Sequence, residues 1–169
     1  MILPNLAGIA YESVVDGPGV RTAIFLSGCH HHCPGCHNLE AQNPNFGTQM
    51  TKEDVGYIAD YISSQPYISG ITLTGGDPLF WPENTYNFLV GLVECSMPKS
   101  IWVYTGYVYE KLPKDPYISY ILNMTDVLVD GPFIKELADK RLAFRGSSNQ
   151  RLIDVRKTTE NGEVVLWHG

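Results

Sequence analysis

A chain of 169 residues has room for one hydrophobic core and not for two, since domains usually hold about 100–150 residues, and a single domain over residues 1–169 is expected. Hydrophobic residues at 44% and charged residues at 18% are ordinary for a globular protein, no apolar run is long enough to span a bilayer, and the N-terminus MILPNLAGIA lacks the basic segment and apolar stretch of a secretory signal. A cytoplasmic protein with reduced thiols is expected, and a net charge of −6 without a basic patch along the sequence argues against nucleic acid as a partner.

The first predicted element covers residues 20–26, VRTAIFL, a β-branched and apolar run between Gly17-Pro18-Gly19 and Gly28 that reads as a buried strand. A loop bearing three cysteines follows. Thr51 then offers an N-cap, with Glu53 and Asp54 in the first turn and Val55, Ile58, Ala59 and Ile62 at helical spacing, which predicts a helix to about Ser64. A second strand at 71–74 ends in Gly75-Gly76-Asp77-Pro78 and leads into a helix over 83–95 that turns Phe88, Leu89 and Leu92 inward. The third strand, 101–105, passes through Gly106 into a helical stretch broken by Pro113 and Pro116, and the fourth, 127–130, stops at Gly131-Pro132. Residues 152–157 and 164–167 flank Asn161-Gly162, a turn signal that predicts a C-terminal β-hairpin. Strands alternating with helices call for an α/β fold with a parallel sheet and functional residues at the carboxyl ends of its strands. Those ends carry the cysteines, Gly75-Gly76-Asp77, Thr105-Gly106 and Asp130-Gly131.

The segment from Gly28 to Asn38, GCHHHCPGCHN, sets Cys29, Cys33 and Cys36 at C-x3-C-x2-C spacing on a loop that Pro34 and Gly35 bend. Thiolates favour zinc or iron–sulfur clusters, and three cysteines on a four-iron cluster leave one iron open to a ligand from outside the protein. The same loop also suits a closed zinc site completed by one of His30, His31, His32 or His37. Thiols this close together on a glycine–proline loop gain little as buried hydrophobes. His30 to His32 taken singly read as polar loop residues, and Cys95 reads as inert packing.

Five segments carry a resemblance: VDGPGVRTAIFL with SGCHHHCPGCHN, then LTGGDPL, DVLVDGPF and RGSSNQRLID, spread from about Val15 to Asp154. In this order they resemble the radical S-adenosylmethionine (SAM) superfamily and, within it, the activating proteins of anaerobic (class III) ribonucleoside-triphosphate reductases. The resemblance implies a small incomplete (β/α) barrel of about six strands, as a full eight-fold barrel needs roughly 250 residues. It implies a 4Fe–4S cluster on Cys29, Cys33 and Cys36, with the amine and carboxylate of SAM on the fourth iron. Gly75, Gly76 and Asp77 are then expected at the methionyl end of SAM, where missing Cβ atoms let backbone approach the ligand, and Gly35, Cys36 and His37 near its adenine. Many radical SAM enzymes have Glu where this chain has Asp77, and an aromatic residue where it has Gly35.

The implied chemistry is homolytic. One electron from the reduced cluster splits SAM into methionine and a 5′-deoxyadenosyl radical, which takes a hydrogen atom from a glycine of the reductase large subunit. The partners implied are that subunit and a low-potential electron donor such as a flavodoxin, and no general acid or base is required. Phe133, Arg145 and residues 146–151 are candidate partner-facing positions, while structural ion pairs account equally well for Arg145 and Arg151. Asp130 and Thr105 read as turn caps as readily as pocket residues. Two rival readings are a zinc-binding adaptor without enzymatic activity and an activase of another glycyl-radical enzyme, such as the formate-lyase type, which matches LVDGPF and RGSSNQR poorly.

Overall fold

The four runs that read as strands from their composition form the centre of the sheet. In the computed structural model, which describes residues 2–96 and 98–169, they are β2 (Val20–Leu26), β4 (Ile68–Gly75), β5 (Ile101–Tyr104) and β6 (Val127–Asp130), parallel to one another. Three antiparallel strands flank them: β1 (Asn5–Ser13) and β3 (Thr48–Gln49) on one side and β7 (Arg151–Asp154) on the other. The order β3-β1-β2-β4-β5-β6-β7 leaves β3 and β7 as edges, so this is an open seven-stranded sheet rather than about six strands.

Four helices accompany the strands: α1 (Lys52–Ser64), α2 (Pro82–Ser96), α3 (Pro116–Met124) and α4 (Val155–Asn161). The Thr51 hydroxyl accepts from Asp54 N–H at 3.2 Å while the Asp54 carboxylate accepts from Thr51 N–H at 2.8 Å, a reciprocal cap that starts α1. Pro116 opens α3 rather than breaking it, because Asp115 caps the helix and a first-turn proline loses no hydrogen bond. Val55, Ile58, Phe88, Leu89, Leu92, Ile118 and Ile121 pack from the helices onto Ile24, Leu26, Ile71, Leu73, Val103 and Leu128. Alternate strand residues point the other way, and Trp102, Val127, Val129 and Leu152 form a smaller cluster with Tyr104, Phe144 and Trp167.

The predicted C-terminal hairpin is corrected. Residues 155–161 are helical because the Asp154 carboxylate caps them through Lys157 N–H at 3.0 Å, and Gly162, at φ 72°, ends the helix in the left-handed conformation. Asn161-Gly162 therefore closes a helix instead of turning a hairpin. The chain still returns to β7, where Leu166 bridges Ile153 and Trp167 N–H donates to Leu152 C=O at 2.8 Å.

Arg21, wholly buried in β2, fastens that strand to β4 and to Ser100, the residue before β5, at the end of the sheet away from the cysteines. Its Nε donates to Thr72 Oγ1 at 2.9 Å and its Nη1 to Ser100 Oγ at 2.8 Å, with Trp102 alongside at 5.4 Å from the ring centre. Burial pushes this guanidinium down to about 10. Among the described residues no helix is long and apolar enough to cross a membrane.

Candidate functional site

β2 and β4 finish side by side, with Leu26 opposite Gly75, and the chain beyond them is knitted by backbone bonds. Gly76 N–H donates to Leu26 C=O and Asp77 N–H to Gly28 C=O, both at 2.7 Å. On the far side of the cysteine loop, Gly28 N–H donates to Ala41 C=O at 2.7 Å and Cys29 N–H to Gln42 C=O at 3.2 Å. The loop thus leaves and rejoins the fold at one point. Gly76 has no side chain because a Cβ there would lie 2.4 Å from Gly28 O and 2.5 Å from Ala41 O. The space a side chain would take is filled by the base of the cysteine loop.

Within the loop, Cys36 N–H bonds back to Cys33 C=O at 3.1 Å, across a turn in which Gly35 has φ 78°. All three thiols are half-buried. The N–H groups of His31 and Asn38 point at Cys29 Sγ and Cys36 Sγ, each at 3.4 Å. Burial pushes the Cys29 thiol up to about 11, partly offset by the His31 N–H. A bound metal reverses that preference, since it deprotonates a coordinating thiol outright. A soft, three-thiol set with amide donors aimed at two of its sulfurs fits an iron–sulfur cluster.

Asp77 is almost fully buried and its carboxylate is held from four sides. Leu79 N–H donates to Oδ1 at 2.8 Å, while Thr105 Oγ1 at 2.9 Å, Gly106 N–H at 3.0 Å and His31 Nε2 at 2.7 Å converge on Oδ2. The residue therefore joins the end of β4 to the end of β5 and to the first turn of the cysteine loop. Gly106 makes room for this, because a Cβ there would lie 2.3 Å from the His31 ring. Tyr107 meets that ring edge-on at 4.6 Å.

The sequence model of a family described as a 4Fe-4S single cluster domain matches residues 15–153. A protein of Salmonella typhi named anaerobic ribonucleoside-triphosphate reductase-activating protein is 43% identical over 147 residues, which is 85% of this chain and 94% of the relative. Proteins of the same name from Escherichia coli K12 and enterobacteria phage T4 are each 42% identical, covering 85% and 82% of this chain and 94% and 86% of their own. The chain belongs to the anaerobic ribonucleoside-triphosphate reductase-activating family.

The part of this activating-family chain that matches the iron–sulfur domain contains the whole cysteine loop, Asp77 and Thr105. The remaining loop histidines have partners of their own: His30 stacks on Phe80 at 4.2 Å, His32 Nδ1 pairs with Gln42 Oε1 at 3.0 Å, and His37 lies 5.4 Å from Phe133. Asp130 and Arg151 are joined to each other and not to the cysteines. Arg151 Nε donates to Asp130 Oδ1 at 3.0 Å and its Nη atoms to Glu110 at 3.0 and 2.7 Å, while Tyr109 N–H bonds Asp130 Oδ2 at 2.8 Å. The Arg151 guanidinium holds the Glu110 carboxyl down to about 2. Gly35 and His37 border a groove of about 380 Å³ whose other wall is Phe133, Lys135, Arg145 and Gly146. His31 as the partner of Asp77 was not foreseen, since 46 residues separate them and no local pattern links them.

Proposed function

We propose that this chain is a radical SAM activase that installs a glycyl radical on an anaerobic ribonucleoside-triphosphate reductase in the cytoplasm. The observation that carries the reading is the C-x3-C-x2-C loop fastened across the ends of β2 and β4 with its three thiols half-buried, in a chain similar to named activating proteins over most of their length. Cys29, Cys33 and Cys36 would hold the 4Fe–4S cluster, and three protein thiolates on four irons would leave a position for SAM. When bound, the cluster would supply the one electron for reductive cleavage of SAM, the chemistry by which a hydrogen atom would be taken from a glycine of the reductase.

The chain's own residues position and shield. Gly76 and Asp77 spend their N–H groups on Leu26 and Gly28, so what this turn has left for a methionyl amine is carbonyl oxygen, which accepts from the amine's N–H bonds. Asp77 acts on the site by holding His31 and Gly106 in place. The backbone of Gly35, Cys36 and His37 serves the adenine and leaves the His37 ring to the groove beside Phe133. No side chain is asked to move a proton.

Anaerobic reconstitution with iron and sulfide, followed by electron paramagnetic resonance with and without SAM, tests the proposal. About four irons per chain and a reduced-cluster signal that SAM alters are expected, followed by a glycyl radical signal when the reductase is added. One zinc per chain without such a signal overturns it and leaves a metal-bound adaptor.

A further inference from the structure

The net negative charge of the protein is not uniform along the chain. Residues 133–146 carry four of the twelve Lys and Arg side chains and only two of the eighteen Asp and Glu, in a protein whose net charge is −6. This segment folds against the cysteine loop: a Cβ on Gly35 would lie 3.3 Å from Lys135 Cδ, and the Phe133 ring faces His37. Asp139 is neutralised by Arg141, whose Nη2 donates at 2.8 Å. Among the described residues no carboxylate pairs with Lys135, Lys140 or Arg145. Arg145 Nε is buried without any acceptor, an arrangement that costs free energy unless an arriving acceptor completes it. Next to these cations, Pro34, Gly35 and His37, on either side of Cys36, are exposed.

An exposed edge of a cluster loop bordered by unpaired cations on an otherwise acidic protein selects one kind of visitor. We propose that the groove between Gly35 and His37 on one wall and Lys135 and Arg145 on the other is the docking surface for an acidic one-electron carrier protein that reduces the cluster. The inference rests on the proposed function, which requires an electron from outside. The carrier is oxidised by one electron and the cluster reduced by one, and no proton or group is transferred. Positive charge around the groove steers an acidic carrier to the side of the molecule where Cys36 is nearest the surface. Away from this segment acidic residues outnumber basic ones two to one, which turns the same carrier away.

The test is stopped-flow reduction of the anaerobically reconstituted protein by flavodoxin hydroquinone, with dithionite as a small reductant that needs no docking site. Arg145→Glu and the double variant Lys140→Glu with Arg141→Glu are compared with the unaltered chain. The double variant changes only exposed side chains, so it remains informative if Arg145→Glu fails to fold. The expected result is reduction by flavodoxin slowed about tenfold or more at low salt, with a flattened salt dependence, while the dithionite rate and the SAM-induced spectral change stay as they were. Flavodoxin rates unchanged in the double variant would overturn the proposal. So would an equal slowing with dithionite, or a loss confined to binding of the reductase. If the unaltered chain binds no iron, the proposed function fails first and separately.

Discussion

His31 Nε2 and Asp77 Oδ2 are 2.7 Å apart although 46 residues separate them, so the strand that ends in the glycine pair also holds the first turn of the cysteine loop. Asp77→Asn puts an amide nitrogen where N–H and O–H donors converge, and a loss of about 1–3 kcal/mol is expected. His31→Ala leaves Thr105 and Gly106 on the carboxylate and costs less stability, but it frees the loop. Iron retention against a chelator should therefore fall more than the urea midpoint does in His31→Ala, and both should fall in Asp77→Asn.

Gly76→Ala is expected to be destabilising by about 1–3 kcal/mol, because the added methyl meets two backbone oxygens, Gly28 O and Ala41 O, neither of which can turn aside as a side chain would. Gly91→Ala, whose new methyl meets only Val55 Cγ1 at 3.5 Å, is the control. Urea midpoints of the two variants should separate clearly, and only Gly76→Ala should lose iron.

Arg21→Met removes the donors that serve Thr72 Oγ1, Ile71 C=O and Ser100 Oγ and leaves the first two buried without them. A loss of about 3 kcal/mol is expected in urea unfolding. Arg21→Lys should recover only part of it, since one ammonium cannot span acceptors on β4 and at Ser100 as the guanidinium fork does. Iron binding should be normal in either variant that folds, as Arg21 lies at the opposite end of the strands.

The Glu110–Arg151 pair predicts a pH dependence. A carboxyl held down to about 2 by Arg151, from its ordinary 4.5, contributes stability above its unfolded pKa and loses it as the pH falls through the folded one. The urea midpoint of the unaltered chain should exceed that of Glu110→Gln at pH 7. The difference should narrow below pH 4.5 and vanish below about 2. It should be modest throughout, because Glu110 is half exposed to solvent.

Replacing Cys29, Cys33 and Cys36 together by serine should abolish iron binding and leave the far-ultraviolet circular dichroism unchanged. The buried residues of the main core include none of the three, and the bonds that close the loop base are backbone to backbone. Collapse of the spectrum would show that the metal is needed for folding, as in zinc fingers.

The central strands were legible because β-branched runs between glycines leave little choice, and 127–130 agrees with β6 residue for residue. β1 was not, since NLAGIAYES is half-buried along most of its length and lacks a clean alternation, and β3 pairs through only two residues. Asn161-Gly162 was misread because the same dipeptide serves a hairpin turn and a helix end, and the deciding feature, the Asp154 cap, lies seven residues upstream of Asn161. In the site, the positions of the cysteines and of Gly75, Gly76 and Asp77 were visible as motifs. Their partners were not: His31 reaches Asp77 only through the fold, and the cations of 133–146 are masked in sequence by Glu136 and Asp139.

The backbone stitching at Gly28, Ala41, Gly76 and Asp77 has a consequence for a protein that meets oxygen. A cluster destroyed by oxidation takes away iron and sulfide but none of the bonds that shape their seat. On the proposed function, the three thiols would stay on a frame set by the strands, ready to be re-reduced and recharged when anaerobic conditions return. Recovery then depends on iron, sulfide and reductant rather than on new synthesis of the chain.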